Sequence, residues 1–212
     1  MAESDTKKKK GLRRRKQVKR SRALNTPLTP KSVKYFEKRP YRPGLHGRRR
    51  RTASDYSLRL HQKQLLREQY NISEKQMARA FAEAVRMEGK TGDNLIALLE
   101  SRLDATVLRA GFARTIYQAR QMVSHRHFTV NGQRVNVPSY RLQPGDVVEV
   151  HEKSRAKDPL VLASQGAYAP EVPVSYLDVQ RESVRLVVLR RPARDEVPVI
   201  CNEQLVVEYY SR

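Results

Sequence analysis

The spacing of apolar residues predicts two short helices at the start of residues 99–150, the segment around which the chain is organised. Apolar side chains recur every four residues at Leu95, Leu99, Leu103 and Val107. This spacing stacks side chains on one helical face. Gly111 is expected to end the first helix, since glycine enters the left-handed C-cap region without steric cost.

The second helix is predicted to begin at Thr115. Thr115 and Gln118 have the spacing of a capping box, in which the two side chains satisfy unpaired backbone N–H groups. The helix would then leave Arg114, Arg120 and Gln121 exposed and bury Ile116, Ala119, Met122 and Val123.

From Phe128 the apolar pattern changes to a period of two, which predicts strands. Asn131-Gly132 favours a type I′ turn between a strand ending at Val130 and one containing Val135 and Val137. A turn at residues 144–146 precedes a further strand at 147–150. Two helices and a small, tightly turned sheet make a compact αα-β module.

Residues 54–89 are predicted to be helical. Ser54 is a plausible N-cap, and Ser73 with Gln76 forms a second capping box before a helix that Gly89 closes. Thr91 or Asp93 would cap the next helix. In the helix that begins after Ser54, one face would pack against a core through Leu58, Leu65, Leu66 and Tyr70. Its other face would expose Arg59, Lys63 and Arg67.

Residues 172–179 and 184–189 are β-prone runs that would add a hairpin to the sheet. The pattern at 202–210 leaves two structures open. Leu205, Val206 and Val207 favour a strand, whereas an Asn202 cap followed by Glu203 and Gln204 favours a helix.

The charge of the chain is concentrated near its start. The net charge is +21, and residues 1–60 carry 21 Lys and Arg against 4 Asp and Glu. Such a distribution points to a polyanionic partner. Residues 1–34 have too little apolar surface for a core of their own, and they join residue 35 through a Pro- and Thr-rich link at 25–31. Residues 35–53 are predicted to be a Pro-, Gly- and Arg-rich loop that follows an RNA surface.

No catalytic or metal-binding constellation emerges. The single Cys201 excludes an intrachain disulfide and is expected to be buried or half-buried. His125 and His127 lack further ligands nearby in the sequence, and Glu100 and Asp104 are interpreted as surface or ion-pair residues. No stretch approaches the roughly 18 apolar residues of a membrane span. We expect a cytoplasmic protein that is not an enzyme and has no cofactor.

Several motifs resemble the S4 RNA-binding domain: RLD at 102–104, GFAR at 111–114, QAR at 118–120, VNG at 130–132, PSYR at 138–141 and PGD at 144–146. Flanking blocks narrow the resemblance to the bacterial-type S4 family of small-subunit ribosomal proteins. These blocks include RPYRPGLHG at 39–47, SDYSLRL at 54–60 and NEQLVVEYYSR at 202–212. The chain lacks the N-terminal cysteine cluster of many relatives, so a zinc site is not expected.

The resemblance implies an α+β fold, with a mostly helical N-terminal domain and an inserted αα-β S4 domain. Residues 1–34 would be a basic extension. Residues 35–95, with roughly 195–212 packing back as a helix, would be the helical rRNA-binding domain, and 96–194 the S4 domain with its added hairpin.

The implied function is that of a structural constituent of the small ribosomal subunit. It would be a primary binder of 16S-type rRNA at a helix junction of the 5′ domain, and would nucleate assembly and contribute to translational accuracy. The implied partners are this rRNA, mRNA where it enters the subunit, and the neighbouring proteins S5 and S3. A divergent S4-domain factor acting on ribosomes or rRNA is the alternative.

The residues predicted to contact rRNA or mRNA are mostly cationic. They are Arg13, Arg14, Arg15, Lys16, Arg39, Tyr41, Arg42, His46, Arg48, Arg49, Arg50, Arg51, Arg59, Lys63, Arg102, Arg114, Arg120, His125, Arg126, His127, Asn131, Arg134 and Arg141. Arg126 occupies a position that is commonly glycine in the family, so a positive φ there would cost about 1 kcal/mol relative to glycine.

Three other classes of protein fit the sequence less well. An S4-module enzyme lacks room for a catalytic domain in the 62 residues after Val150. A stand-alone module that rescues stalled ribosomes does not need the helical region at 54–92. A polybasic DNA- or membrane-surface protein would bind any polyanion with similar affinity and lose binding steeply with salt.

Overall fold

The computed structural model of the chain describes residues 17–49, 52–170 and 172–211. Two compact units divide the chain after Ala53. In the first unit α1 (Gln17–Ala23) packs against α2 (Pro30–Lys38). The loop predicted for residues 35–53 is wrong at its start, because residues 35–38 belong to α2. The described segment that follows, at 39–49, contains no regular helix, as its prolines and glycines predict.

The Pro- and Thr-rich link predicted at 25–31 ends earlier than expected, because α2 begins at Pro30. Pro30 takes the first helical position, where a missing N–H costs nothing. The Thr29 N–H donates to Ser32 Oγ at 2.9 Å, which satisfies a donor at the helix start. The Thr-Pro pair is therefore a helix-start signal in this chain.

Four helices of the second unit share one hydrophobic core. They are α3 (Asp55–Gln69), α4 (Glu74–Ala84), α5 (Thr91–Glu100) and α9 (Glu203–Tyr210). Ser54 caps α3, and the capping box predicted for Ser73 and Gln76 opens α4. The core of these helices, called here the helical core, includes Leu66, Tyr70, Met77, Ala84, Leu95, Leu99 and Val206.

A second core lies between three helices and a five-stranded antiparallel sheet. The helices are α6 (Leu103–Arg109), α7 (Ile116–Ser124) and α8 (Asp158–Ser164). The strands are β1 (Phe128–Val130), β2 (Gln133–Arg134), β3 (Val147–Val150), β4 (Leu177–Gln180) and β5 (Arg185–Val188), in the order β2-β1-β3-β5-β4. This sheet core includes Leu103, Phe112, Val123, Phe128, Val148, Leu160 and Leu186.

The sheet confirms the hairpin predicted for the β-prone runs after residue 172. β4 and β5 pair with each other, and β5 extends the sheet through β3, with Val148 opposite Leu186. Asn131 and Gly132 both have positive φ, as a type I′ turn requires. The described residues therefore confirm the predicted α+β class.

The run of Leu95, Leu99, Leu103 and Val107 does not form one helix, and this part of the prediction is wrong. The chain leaves the helical conformation at Arg102, whose ψ is 139°. The Leu103 N–H donates to the Tyr140 carbonyl and the Leu142 N–H to the Ser101 carbonyl, both at 2.8 Å. These hydrogen bonds to a distant segment break the helix into α5 and α6.

Three other predicted boundaries move. α4 ends at Ala84, before Gly89. The N-cap of α5 is Lys90, so neither Thr91 nor Asp93 caps that helix. β2 stops at Arg134, and Val137 lies beyond it with 48 % of its surface exposed.

The open alternative at residues 202–210 is resolved as a helix. Asn202 Oδ1 accepts the Leu205 N–H at 3.3 Å and so caps α9. Val206 is fully buried in the helical core. The three consecutive β-prone residues are thus overridden by the cap and by packing of α9 against α3 and α5.

Glu100 and Asp104 are ion-pair residues, but they are buried rather than at the surface. Arg109 forms a bidentate pair with Glu100, and its Nη2 lies 2.6 Å from Oε1. Glu100 also accepts hydrogen bonds from Tyr70 at 2.6 Å and Tyr176 at 3.3 Å. Because Tyr70 belongs to the helical core and Tyr176 to the sheet core, Glu100 ties the two cores together.

Candidate nucleic-acid interface

In the first unit an arginine on α1 fixes the loop that follows α2. Arg22 Nε donates to the carbonyls of Arg39 and Tyr41, at 3.1 and 3.0 Å. A further nitrogen of the same guanidinium reaches the Arg42 carbonyl at 3.4 Å. The loop is irregular but is held by a specific donor, as a preformed binding surface requires.

The ring of Tyr41 lies among guanidinium groups. Arg22 and Arg48 place their guanidinium carbons 5.0 and 4.7 Å from the centroid of the ring, within cation–π distance. A hydrogen bond from Arg48 lowers the pKa of Tyr41. Tyr41, which is among the residues predicted to contact RNA, therefore helps to orient Arg22 of α1 and Arg48 of the loop.

The loop presents cations that no described carboxylate neutralises. These exposed residues are Arg39, Arg42, Arg48 and Arg49, and the exposed His46 lies in the same loop. The predicted contacts Arg13, Arg14, Arg15, Lys16, Arg50 and Arg51 lie outside the described residues. Exposed guanidiniums without an internal partner are suited to bidentate contacts with phosphate.

The second unit has a basic surface at the two ends of α7. Thr115 Oγ1 accepts the Gln118 N–H as predicted, but the Gln118 side chain accepts the Arg114 N–H, at 2.9 Å, instead of closing back on Thr115. The predicted apolar face of α7 is buried in the sheet core. Arg114 at one end and Arg126 at the other consequently remain exposed.

Five residues form what we call the basic edge: His125, Arg126, His127, Arg134 and His151. The His151 N–H donates to the His127 carbonyl at 2.9 Å, and the Arg134 guanidinium contacts the His151 ring. Burial lowers the pKa of His127, and the nearby positive charges of Lys157 and His125 add to this effect. Within the described residues, none of the five pairs with a carboxylate.

Lys157 lies beside the basic edge, although it is not among the residues predicted to contact RNA. With His125 and His127 it lines a cavity of about 220 Å³ between α7 and α8. Its place is set by α8, because Lys157 is the N-cap residue of that helix. Asn131, by contrast, uses its side chain to bind Asp146 Oδ1 and the Val147 N–H, both at 2.9 Å, and so holds the turn.

Several predicted contact residues form ion pairs within the chain. The pairs are Arg59 with Glu208, Lys63 with Glu74, Arg102 and Arg120 with Asp104, and Arg141 with Glu83. Lys63 and Arg102 are also buried, and their ion pairs stabilise the fold. The predicted cations of the second unit thus divide into an internally paired set and the unpaired basic edge with Arg114.

Other site chemistries find little support. Among the described residues no group of three or more His, Cys, Asp and Glu side chains is placed to hold a metal ion. No helix in the same residues is both long and apolar enough to span a membrane. Cys201 is a half-buried free thiol, as predicted, and burial raises its pKa to about 12.

Two family models cover most of the chain. The model for the ribosomal protein S4/S9 N-terminal domain matches residues 6–100, and the S4 domain model matches residues 101–148. The chain belongs to the uS4 family. Two relatives named small ribosomal subunit protein uS4, from Micrococcus luteus and Streptomyces griseus, are each 58 % identical to it. The first alignment covers 95 % of this chain and the second 93 %, and each covers 98 % of the relative.

Membership of the uS4 family confirms the resemblance that the motifs predicted. A third relative with the same name, from Beutenbergia cavernae, is 57 % identical over 94 % of the chain. These relatives are ribosomal proteins and not enzymes, in agreement with the prediction. The first of the two family models ends at residue 100 and the second begins at residue 101, which is where the chain breaks between α5 and α6.

Proposed function

We propose that the chain is a structural constituent of the small ribosomal subunit and a primary binder of 16S-type rRNA. The observation that carries the proposal is the presence, in each unit, of exposed cations without an internal carboxylate partner. Phosphate groups of RNA are the counter-ions that such residues bind. The names of the uS4 relatives support the same function.

The proposed target is a helix junction in the 5′ domain of the rRNA. Double-stranded RNA has a deep and narrow major groove that side chains cannot read, so recognition would use shape and phosphate contacts. Two basic surfaces on one chain would bind two RNA segments at once. Restricting the RNA in this way would nucleate assembly of the subunit.

The domain limits predicted from the sequence are part of this proposal. A basic extension at 1–34 would precede a helical rRNA-binding domain at 35–95, completed by about 195–212, and an S4 domain at 96–194. The internal ion pairs of Arg59 and Lys63 remove these two residues from the proposed direct contacts.

Further roles are proposed from the family resemblance. The arginines at 48–51 would lie where mRNA enters the subunit, and the chain would contribute to translational accuracy. The neighbouring proteins would be S5 and S3, within cytoplasmic ribosomes. Arg48 and Arg49 are exposed and have no carboxylate partner among the described residues, which supports contact with RNA at that loop.

The test is binding of the full chain to the 5′ domain of the rRNA, with an unrelated structured RNA as competitor, across a salt series. Arg126→Ala with Arg134→Ala removes two charges from the basic edge. Arg181→Ala with Arg191→Ala removes two exposed charges elsewhere and serves as the matched control.

We expect the wild-type chain to prefer the 5′ domain at moderate salt. The edge variant should lower the slope of log affinity against log salt by about 2, because each phosphate contact contributes about 0.9. The control should change it little. Equal affinity of the wild-type chain for both RNAs would reject the proposal.

A further inference from the structure

A cavity lined by three arginines lies between α4, α5 and the segment at 138–141. Its volume is about 220 Å³. The rim includes Arg79 from α4, Arg102 from the break between α5 and α6, and Arg141, while Ile72 and Leu98 supply part of an apolar floor. Arg79 was absent from the residues predicted to contact RNA. Arg102 and Arg141 are among the residues predicted to contact RNA, and both also pair with carboxylates of the chain.

Arg102 forms a fixed wall of this cavity. Its side chain is only 7 % exposed, and its Nε and Nη2 donate to the two oxygens of Asp104 at 2.9 and 2.7 Å. This bidentate pair uses one edge of the guanidinium. The remaining nitrogen, Nη1, has no hydrogen-bond acceptor among the described residues. A backbone bridge between residues 102 and 141 joins this wall to the opposite side.

The charges around the cavity do not balance. Asp104 is shared, because Arg120 also lies 3.6 Å from it. Arg141 pairs with Glu83, and both side chains stay more than 40 % exposed. Arg79 is exposed and has no carboxylate partner among the described residues. The rim therefore keeps at least one positive charge for a ligand.

The combination of rim and floor selects the class of ligand. Guanidiniums bind phosphate oxygens bidentately. An apolar floor of this size suits the sugar ring attached to a phosphate, whereas an acidic side chain of a protein would leave the floor uncovered. We infer that this cavity binds one phosphodiester of the rRNA backbone with its ribose, through Arg79, Arg141 and Nη1 of Arg102.

This inference rests on the proposed function, since it names a further contact with the same RNA. The cavity differs from the basic edge because Arg79 comes from α4, whereas Arg102 and Arg141 come from the proposed S4 domain. An RNA strand held here would contact both cores, which Glu100 already joins.

The test uses Arg79→Ala in the full chain, with Lys75→Ala as the matched control. Lys75 is exposed one turn earlier on α4 and does not line the cavity. Affinity for the 5′ domain is measured across a salt series. The RNA is also ethylated at single phosphates, and the positions at which ethylation weakens binding are mapped for each variant.

We expect Arg79→Ala to weaken binding about tenfold and to lower the salt slope by about 1. One phosphate at which ethylation weakens wild-type binding should cease to matter in Arg79→Ala, and should still matter in Lys75→Ala. Arg79→Lys should keep the salt slope, because it keeps the charge, but bind less tightly since it lacks the planar fork.

An Arg79→Ala variant that matches Lys75→Ala in slope and in ethylation pattern would overturn the inference. An acidic segment of a neighbouring protein would then be the better occupant. This result is distinguishable from failure of the proposed function, in which the wild-type chain itself shows no preference for the 5′ domain.

Discussion

At the scale of single residues, Arg126 of the basic edge has a strained backbone conformation. Its φ is +59°, in the left-handed region. The Arg126 N–H donates to the Val123 carbonyl and the His127 N–H to the Met122 carbonyl, which is the Schellman pattern at the end of α7. α6 ends in the same pattern with Gly111 at the equivalent position. α7 thus ends in an arginine where a glycine would be less strained.

We predict that Arg126→Gly raises the free energy of unfolding by about 1 kcal/mol, because glycine relieves the positive φ. The same change should weaken rRNA binding, since it removes an exposed charge. Urea unfolding and binding to the 5′ domain measure the two effects.

Arg126→Ala separates the two contributions. Alanine removes the charge but keeps the strain, so affinity should fall without a gain in stability. If glycine and alanine gave equal stability, the positive φ would not be a cost.

At the scale of the helix, α3 shows what the apolar pattern predicts and what it misses. Leu65, Leu66 and Tyr70 are buried as predicted. Leu58, predicted to be in the core, is 47 % exposed, whereas Lys63, predicted to be outside, is 3 % exposed. The ammonium of Lys63 donates to both oxygens of Glu74 at 2.9 Å and lies 4.4 Å from the ring centroid of Tyr209.

The burial of Lys63 could not be predicted from the local sequence, because its partner Tyr209 on α9 lies 146 residues further along the chain. The same limit explains the break between α5 and α6, which depends on residues 138–142. Local signals succeeded where the cause is local, as in the Ser73–Gln76 capping box and the Asn131-Gly132 turn. Which cations remain unpaired could not be read from the sequence, because pairing depends on tertiary contacts.

We predict that Glu74→Gln lowers the free energy of unfolding by about 1 kcal/mol at pH 7, a value reduced for the partial exposure of Glu74. Burial raises the pKa of Glu74, but hydrogen bonds from Lys63 and Tyr210 outweigh it and hold the pKa below its ordinary value. The charged form is therefore favoured in the folded state, and its stabilising effect is lost as pH falls through the folded pKa.

The measurement is urea unfolding of both proteins from pH 7 down to pH 3. The difference in stability should shrink below the ordinary glutamate pKa of 4.5. Asp178→Asn, at an exposed position, is the control and should show little difference at any pH. A Glu74→Gln deficit that stayed constant with pH would contradict the assignment of the effect to the charge.

At the scale of the second unit, Glu100 makes two cores depend on one side chain. Removing the charge would leave the Arg109 guanidinium buried without its counter-ion, and both tyrosines would lose their acceptor. Burial is the main cause that raises the pKa of Tyr70 and of Tyr176, so both hydroxyls stay protonated as donors at neutral pH.

We predict that Glu100→Gln costs about 3 kcal/mol of stability, since it breaks a buried ion pair. Tyr176→Phe, which removes one neutral donor, should cost only about 1 kcal/mol. Calorimetry and hydrogen exchange measure these effects, and in Glu100→Gln protection should fall in both cores. Loss of protection confined to one core would show that Glu100 does not couple them.

The order of buried residues along the chain also sets a schedule for the synthesis of this protein. The helical core needs Val206, whereas its members Leu66 and Leu99 are translated more than 100 residues earlier. The intervening S4 segment completes its own sheet core first. The early helices must therefore leave the exit tunnel with an apolar face still uncovered. A chaperone at the tunnel mouth would encounter this face until α9 emerges and covers it.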